Sequence, residues 1–320
     1  MCAELLRIGQ IKMAEVQILM AVYNGEEYLR AQFDSLRSQT FEDWNLLVSD
    51  DGSTDGSLGI INEYCSLDSR IMLVLDDAHF GGAKNHFMAL LRLADAPYVM
   101  TCDQDDVWDA DKVDVTLAAM KEAERLGERP LLVCTDLRVV DHDLNVLSPS
   151  FLEYSGMDAS KRDMGYFLAS CLVTGCTMMV NKKLLHLLQR PVDEDAIIMH
   201  DWWASLVAAA FGEVIHLNRA TISYRQHGDN SVGAQRFSVA RALAAIKEKT
   251  ATESAAIDQA SELRRVFAGE LSEEQVAQIS AIERTRAVAP IARIGLLSQA
   301  GVWRHGLMRN AGTLFAFLSI

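Results

Sequence analysis

Basic residues are in short supply. Lysine and arginine number 30 against 44 aspartates and glutamates, and the formal charge is −14. Such a surface repels a polyanion, which argues against DNA or RNA as a partner. A phosphate-bearing ligand would need a metal ion or local cations to approach. Cysteine pairs at metal or redox spacing are also missing. The six cysteines (Cys2, Cys65, Cys102, Cys134, Cys171 and Cys176) include no C-x-x-C. They read as reduced, buried thiols, and no histidine pair completes a zinc site. No G-x-G-x-x-G follows the first strand, which disfavours a dinucleotide-binding dehydrogenase. No apolar run reaches about 18 residues, so no membrane-spanning helix is expected. The first residues lack the apolar core of a signal peptide. Met13 stands directly before the first strand, and residues 1–13 read as an N-terminal extension.

What is present is a regular alternation. Half of the 320 residues are hydrophobic, enough for one large core plus an appendage. The run Val16–Asn24 reads as a buried strand, followed by a helix with Tyr28, Leu29, Phe33 and Leu36 at helical spacing. A second strand ends at Asp50, Asp51 and Gly52, and RIMLVLD supplies a third. A helix opens after the pair Gly81–Gly82, and a fourth strand runs into Asp103–Asp106. Strand and helix alternating over about 120 residues predict an open, mostly parallel α/β sheet, with ligands at the carboxyl ends of its strands. From about Ala234 the chain turns Ala-rich and helical. After Glu283 it carries no acid, only basic residues such as Arg284, Arg286, Arg293, Arg304 and Arg309 among large apolar ones. A basic amphipathic tail either lies on an anionic membrane surface or packs on the core or a partner chain.

The fourth strand end is the most unusual stretch. Asp103, Asp105, Asp106, Asp109 and Asp111 crowd into nine positions. Unit charges about 4 Å apart repel by roughly 4 kcal/mol at an effective dielectric near 20. A hard divalent cation, Mg²⁺ or Mn²⁺, would offset that. Strand alternation puts Asp103 and Asp105 on one side, and the turn lets Asp106 swing in. Asp109 and Asp111 suit a helix start. Elsewhere the residues leave alternatives open. Asp50 fits either a ribose or base contact or a turn cap. Lys84 meets a phosphate or merely begins a helix. Gly175, inside the apolar run Val173–Met179, marks close backbone approach in a strand. Asp201 opens a helix, where an acid is often just a cap.

Taken together, ILMAVYNGEEYLRAQFDSLRSQTFEDWNLLVSDDGSTD, DQDDVW, VTGCTMMVN, MHDWW and YRQHGDNSVG resemble the family 2 glycosyltransferases, in their rhamnosyltransferase-like branch. The resemblance covers residues 14–233, with five separated motifs in the right order. It implies a GT-A fold, a Rossmann-like and mostly parallel open sheet flanked by helices, with residues 234–320 as a helical C-terminal region. It implies an inverting, metal-dependent hexosyltransferase-type enzyme. The donor would be dTDP-L-rhamnose or another nucleotide sugar, and the acceptor a lipid-linked or polysaccharide glycan such as an O-antigen intermediate. By the same resemblance, Asp201 is the catalytic base that takes the proton of the acceptor hydroxyl, with His200 the weaker alternative. Ala21 (where the family often has a small hydroxyl residue), Tyr23, Asp50, Asp51, Lys84, Asp103, Asp105 and Arg225 meet the nucleotide. Gly175, Trp202 and Trp203 line the sugars, and Asp105, Asp106 and His227 hold Mg²⁺ or Mn²⁺. The implied setting is the cytoplasm, including the cytoplasmic face of the inner membrane. No Q-x-x-R-W motif accompanies these segments, so one sugar per encounter is expected. Two rival readings stand beside this one: a sugar nucleotidyltransferase, and a non-catalytic nucleotide-sugar-binding partner subunit.

Overall fold

The computed structural model describes residues 14–75, 79–226, 246–303 and 307–318. In chain order the first elements are β1 (Val16–Val22), α1 (Leu29–Arg37), β2 (Trp44–Asp50), α2 (Ser57–Leu67), β3 (Ile71–Leu73), α3 (Ala83–Leu93) and β4 (Tyr98–Cys102). Then come β5 (Val107–Trp108), α4 (Lys112–Arg125), β6 (Leu131–Val140) and β7 (Val146–Ser148). Short helices α5 (Phe151–Ser155) and α6 (Met164–Phe167) precede β8 (Met178–Asn181) and α7 (Lys182–Leu188). The remainder is α8 (His200–Phe211), β9 (Glu213–Arg225), α9 (Ile246–Val266), α10 (Glu273–Arg284), α11 (Pro290–Ala300) and α12 (Leu307–Leu318).

Nine strands form one mixed sheet in the order β3-β2-β1-β4-β8-β6-β9-β5, with β7 on β6. Pairing is parallel across β1 to β4, while β8 runs antiparallel to β4 and β6, β7 to β6, and β5 to β9. The parallel strands are continuous apolar runs because both faces are covered: all seven residues of β2, and six of seven in β1, are buried. Parallel pairing carries the carboxyl ends of β1, β2 and β4 to one edge.

Three local expectations are corrected. RIMLVLD yields only a three-residue strand, because Leu75 turns to φ 55°. The run Val173–Met179 is not a strand around Gly175. Gly175–Thr177 is a 3₁₀ turn, closed by the Thr177 amide and hydroxyl donating to the Thr174 carbonyl at 2.9 and 2.7 Å. The first β-strand stops at Val22, two residues early, because Asn24 takes φ 48°.

The chain divides into two compact units. One comprises residues 14–151, 174–189 and 215–226 of the described chain and holds the sheet. The other comprises 152–173, 190–214 and the C-terminal helices. The helical unit thus takes in two segments that lie before residue 234. Within it, Arg286 pairs with Asp258 at 2.6 Å, and the buried Arg293 donates to the Phe317 carbonyl at 2.6 Å. These two tail arginines hold helices to one another. Arg304 lies outside the described residues. No helix among the described residues is long and apolar enough to cross a membrane.

Candidate active site

The loops after β1, β2 and β4 are stitched to one another, side chain to main chain. Asp50, at the end of β2, is buried and accepts the Gly52 and Ser53 amides at 3.1 and 2.8 Å. The Ser53 hydroxyl donates to Asp50 and accepts the Asn24 amide at 2.8 Å. Asn24 Oδ1 takes the Thr54 amide at 2.8 Å, and Ser57 Oγ takes that of Gly25 at 2.8 Å. Asp50 is therefore a turn cap in this arrangement, one of the two roles the sequence left open for it. Ala21 lies in β1 opposite Ser49, and Tyr23 follows, with 57% of its surface exposed.

Asp51 is held differently. Its carboxylate accepts three successive amides: Phe80 at 2.5 Å, Gly81 at 3.0 Å and Gly82 at 3.2 Å. Positive φ at Gly81 (72°) and Gly82 (145°) bends the backbone so that those amides converge, a conformation that glycine adopts without strain. They lie just before α3, where a carboxylate also meets the favourable end of the helix dipole. Lys84, half-buried, is in the first turn of that helix.

Because β4 ends at Cys102, strand alternation does not extend to the acids, and residues 103–106 form a turn. Asp106, not Asp105, joins Asp103. Ligand atoms of Asp103, Asp106 and Cys176 all lie within 4.8 Å of one another. Asp106 is fully buried. Its Oδ1 accepts the Arg225 amide at 3.2 Å, while Oδ2 has no hydrogen-bond partner among the described residues. Burial, and then the charges of Asp105 and Asp103, push its carboxyl well above the usual range. The Cys176 thiol is also pushed up, by burial first and then by Asp106 and Asp103. It stays a thiol, in line with the reading of the cysteines as reduced and buried.

A buried lysine lies under this loop. Lys112 opens α4, and its Nζ has no hydrogen-bond partner among the described residues and sits 4.7 Å from the centre of the Trp108 ring. Burial pulls it down to about 8, against the opposing pull of Cys176, Cys102 and Asp106. Hard carboxylate oxygens and an unsatisfied Oδ2 suit a divalent ion such as Mg²⁺ or Mn²⁺. Lys112 supplies part of the counter-charge for Asp106, and Asp103 and Asp105 beside it are half-buried.

Arg225 ends β9 and is almost fully buried. Its Nε donates to the Asp105 carbonyl at 2.9 Å, Nη1 to the His142 carbonyl, and its guanidinium carbon lies 4.6 Å from the Tyr28 ring centre. Two of its donors thus fasten main chain of the acid loop and of the β6–β7 turn. Gly175 is buried in the 3₁₀ turn, its carbonyl accepting the Thr101 hydroxyl at 2.6 Å. His227 lies outside the described residues. Asp109 and Asp111, read as structural, pair with Arg138 and Arg219 respectively.

The other unit carries Asp201, the second residue of α8. It is half-buried, and its carboxylate accepts the Trp202 amide at 2.7 Å. Trp202 Nε1 donates to the Phe167 carbonyl at 2.7 Å. Trp203 is 1% exposed and packs against Phe267, so its ring belongs to the core of the helical unit. His200 is fully buried, and burial lowers it to about 3. A group so placed is a poor proton acceptor.

Two residues of the site escape a motif reading. Lys112 carries a faint signal: it shares the buried i, i+4 face of Thr116 and Met120. Gln104 gives none, since it is the variable residue between two acids.

Known proteins share this organisation. The profile described as "Glycosyl transferase family 2" matches residues 17–186. The chain is 28% identical over 233 residues to "dTDP-rhamnosyl transferase RfbG" of Shigella flexneri, across 67% of this chain and 74% of that one. It is 35% identical over 107 residues to "UDP-Glc:alpha-D-GlcNAc-diphosphoundecaprenol beta-1,3-glucosyltransferase WfgD" of Escherichia coli. That match covers 33% of this chain and 40% of the relative, less than half of its length. In structure the chain resembles S. aureus TarS 1–349 in complex with UDP-GlcNAc, at TM-score 0.55 and 15% identity, over 94% and 90% of the two chains. It also resembles GalNAc-T7 with UDP, GalNAc and Mn²⁺, at TM-score 0.54 and 10% identity, over 85% and 51%. At such identities these two likenesses speak for the fold alone.

Proposed function

The chain belongs to glycosyltransferase family 2, and from that footing we propose that it is an inverting, metal-dependent rhamnosyltransferase, moving rhamnose from dTDP-L-rhamnose to a hydroxyl of a growing cell-surface glycan. That it is a GT-A-fold glycosyltransferase using a nucleotide-sugar donor follows from the family and the architecture. The choice of rhamnose rests on the Shigella relative, whose name is a dTDP-rhamnosyl transferase. A lipid-linked acceptor is favoured by the name of the Escherichia coli relative, which acts on a diphosphoundecaprenol-linked sugar.

One observation carries the reading. An acid turn at the end of β4, with Asp106 buried and Oδ2 unsatisfied, is fastened beside the loops of Tyr23 and of Asp50 and Asp51. Asp103 and Asp105, with Asp106 behind them, would hold Mg²⁺ or Mn²⁺, whose charge offsets that of a departing nucleoside diphosphate. Tyr23 offers an exposed ring to the base. Asp201 takes the proton from the acceptor hydroxyl as that oxygen attacks the anomeric carbon, and direct displacement inverts the centre. No enzyme nucleophile is needed, in keeping with the protonated Cys176 thiol.

Calorimetric titration with dTDP, UDP and GDP, each with and without Mn²⁺, tests this. Metal-enhanced binding of dTDP above the other two is the expected result. Preference for UDP or GDP overturns the rhamnose donor but keeps the enzyme class. Binding of no nucleotide by the folded protein overturns the donor site itself.

A further inference from the structure

Gln104 stands between the two outward acids of the turn, yet its side chain points to another strand's loop. The Tyr23 amide donates to Gln104 Oε1 at 2.9 Å, and Gln104 Nε2 donates to the Tyr23 carbonyl at 3.0 Å. The amide orientation is fixed by chemistry, since a main-chain N–H only donates and a carbonyl only accepts. One side chain therefore copies a strand partner, binding both polar main-chain groups of a single residue across 81 positions of sequence. Room for this is kept by Gly25. A Cβ there would lie 2.5 Å from Gln104 Oε1 and 2.7 Å from its Cδ.

The geometry points to Gln104 as a positioning residue: we infer that it sets the distance between the base-stacking ring of Tyr23 and the carboxylates of Asp103 and Asp105. The inference rests on the donor-site reading above. A nucleoside diphosphate spans from base to diphosphate, so ring and acids must be held at one spacing to engage both ends. Hydrogen bonds at both main-chain groups of Tyr23 remove the freedom of its loop to drift, although the ring itself is exposed. Gln104 itself need not touch the ligand.

The test is dTDP affinity by calorimetry, with and without Mn²⁺, in a double-mutant cycle. Gln104→Ala is expected to raise Kd about tenfold, as loss of two hydrogen bonds would, and to shrink the gain in affinity that Mn²⁺ brings. Donor KM should rise more than kcat falls. Gly25→Ala, which evicts the same amide while residue 104 stays glutamine, should act in the same direction. The decisive comparison is in the Tyr23→Ala background, where Gln104→Ala should add little, because its effect passes through the ring. Additive losses, or unchanged affinity in Gln104→Ala, overturn the inference while leaving the donor site standing. Failure of the unaltered protein to bind any nucleotide overturns the donor site, and this inference with it.

Discussion

Asp106 and Arg225 are joined through the main chain: the Arg225 amide donates to Asp106 Oδ1 at 3.2 Å, and the guanidinium of the same residue returns to the carbonyl of Asp105. The last strand of the sheet thereby fixes the shape of the acid turn from behind. Both halves of the contact are buried, where losing one partner leaves the other unsatisfied.

Arg225→Met should therefore destabilise the protein before any ligand is added, by about 1.5–3 kcal/mol, the range for a hydrogen bond involving a charged group. Urea denaturation of the nucleotide-free protein measures it. Unchanged stability together with weakened nucleotide binding would instead assign the guanidinium to the diphosphate.

Asp201→Asn keeps the shape of the side chain and the bond from the Trp202 amide but removes the basic oxygen. Turnover should fall by about 10²–10⁴, the usual contribution of a general base, while dTDP affinity holds. Steady-state kinetics alongside calorimetry separates the two. Retained turnover would remove Asp201 from the chemistry.

Stability should drop on mild acidification because of His200. In the folded chain burial lowers this imidazole from 6.5 to about 3. Between those values the unfolded chain binds a proton that the folded one does not, so stability is full above 6.5 and is lost as pH falls. At about pH 5 the loss from this residue is about 2 kcal/mol. His86, buried against Phe80 and lowered to about 4, acts in the same direction. Denaturation curves at neutral pH and at about pH 5 should differ less in His200→Gln than in the unaltered protein. An equal difference would show that His200 titrates normally.

Gly165 lies in α6 against the end of α11. A Cβ there would come within 2.8 Å of the carbonyl oxygens of Ala300 and Gly301. These are main-chain atoms that cannot rotate away, so Gly165→Ala should cost about 1–3 kcal/mol. A thermal melt should shift down accordingly. An unmoved melt would mean that the end of α11 gives way.

The sequence discloses the sheet and its ligand edge because continuous apolar runs ending in acids leave few other arrangements. It discloses Asp103 and Asp106 as neighbours of the site for the same reason. It does not disclose how tightly Asp106 gathers with Asp103, since a two-residue period holds only while the strand lasts, and β4 stops at Cys102. The 3₁₀ turn at Gly175 looks apolar enough to be a strand. What turns it is a threonine hydroxyl, Thr177 Oγ1, bonding a carbonyl three residues back. The cage around Asp51 and the Gln104–Tyr23 pair are long-range contacts between a side chain and main chain, which no local pattern encodes. Trp202 and Trp203 are adjacent indoles that are both buried, and packing alone sets the Trp203 ring against Phe267.

The grip of Gln104 on Tyr23 also has a bearing on the order of events as the chain is made. Pairing of β1 with β4 encloses all of β2 and β3 in one long loop, and closure of such loops is slow compared with forming a helix. An emerging polypeptide that has displayed β1 through β3 already contains Tyr23, Asp50 and Asp51, but neither the partner of Tyr23 nor the acid turn. A nascent chain halted before β4 should thus be blind to nucleotide. Ligand added during refolding should leave the early collapse unchanged and slow unfolding, because it grips only what forms last.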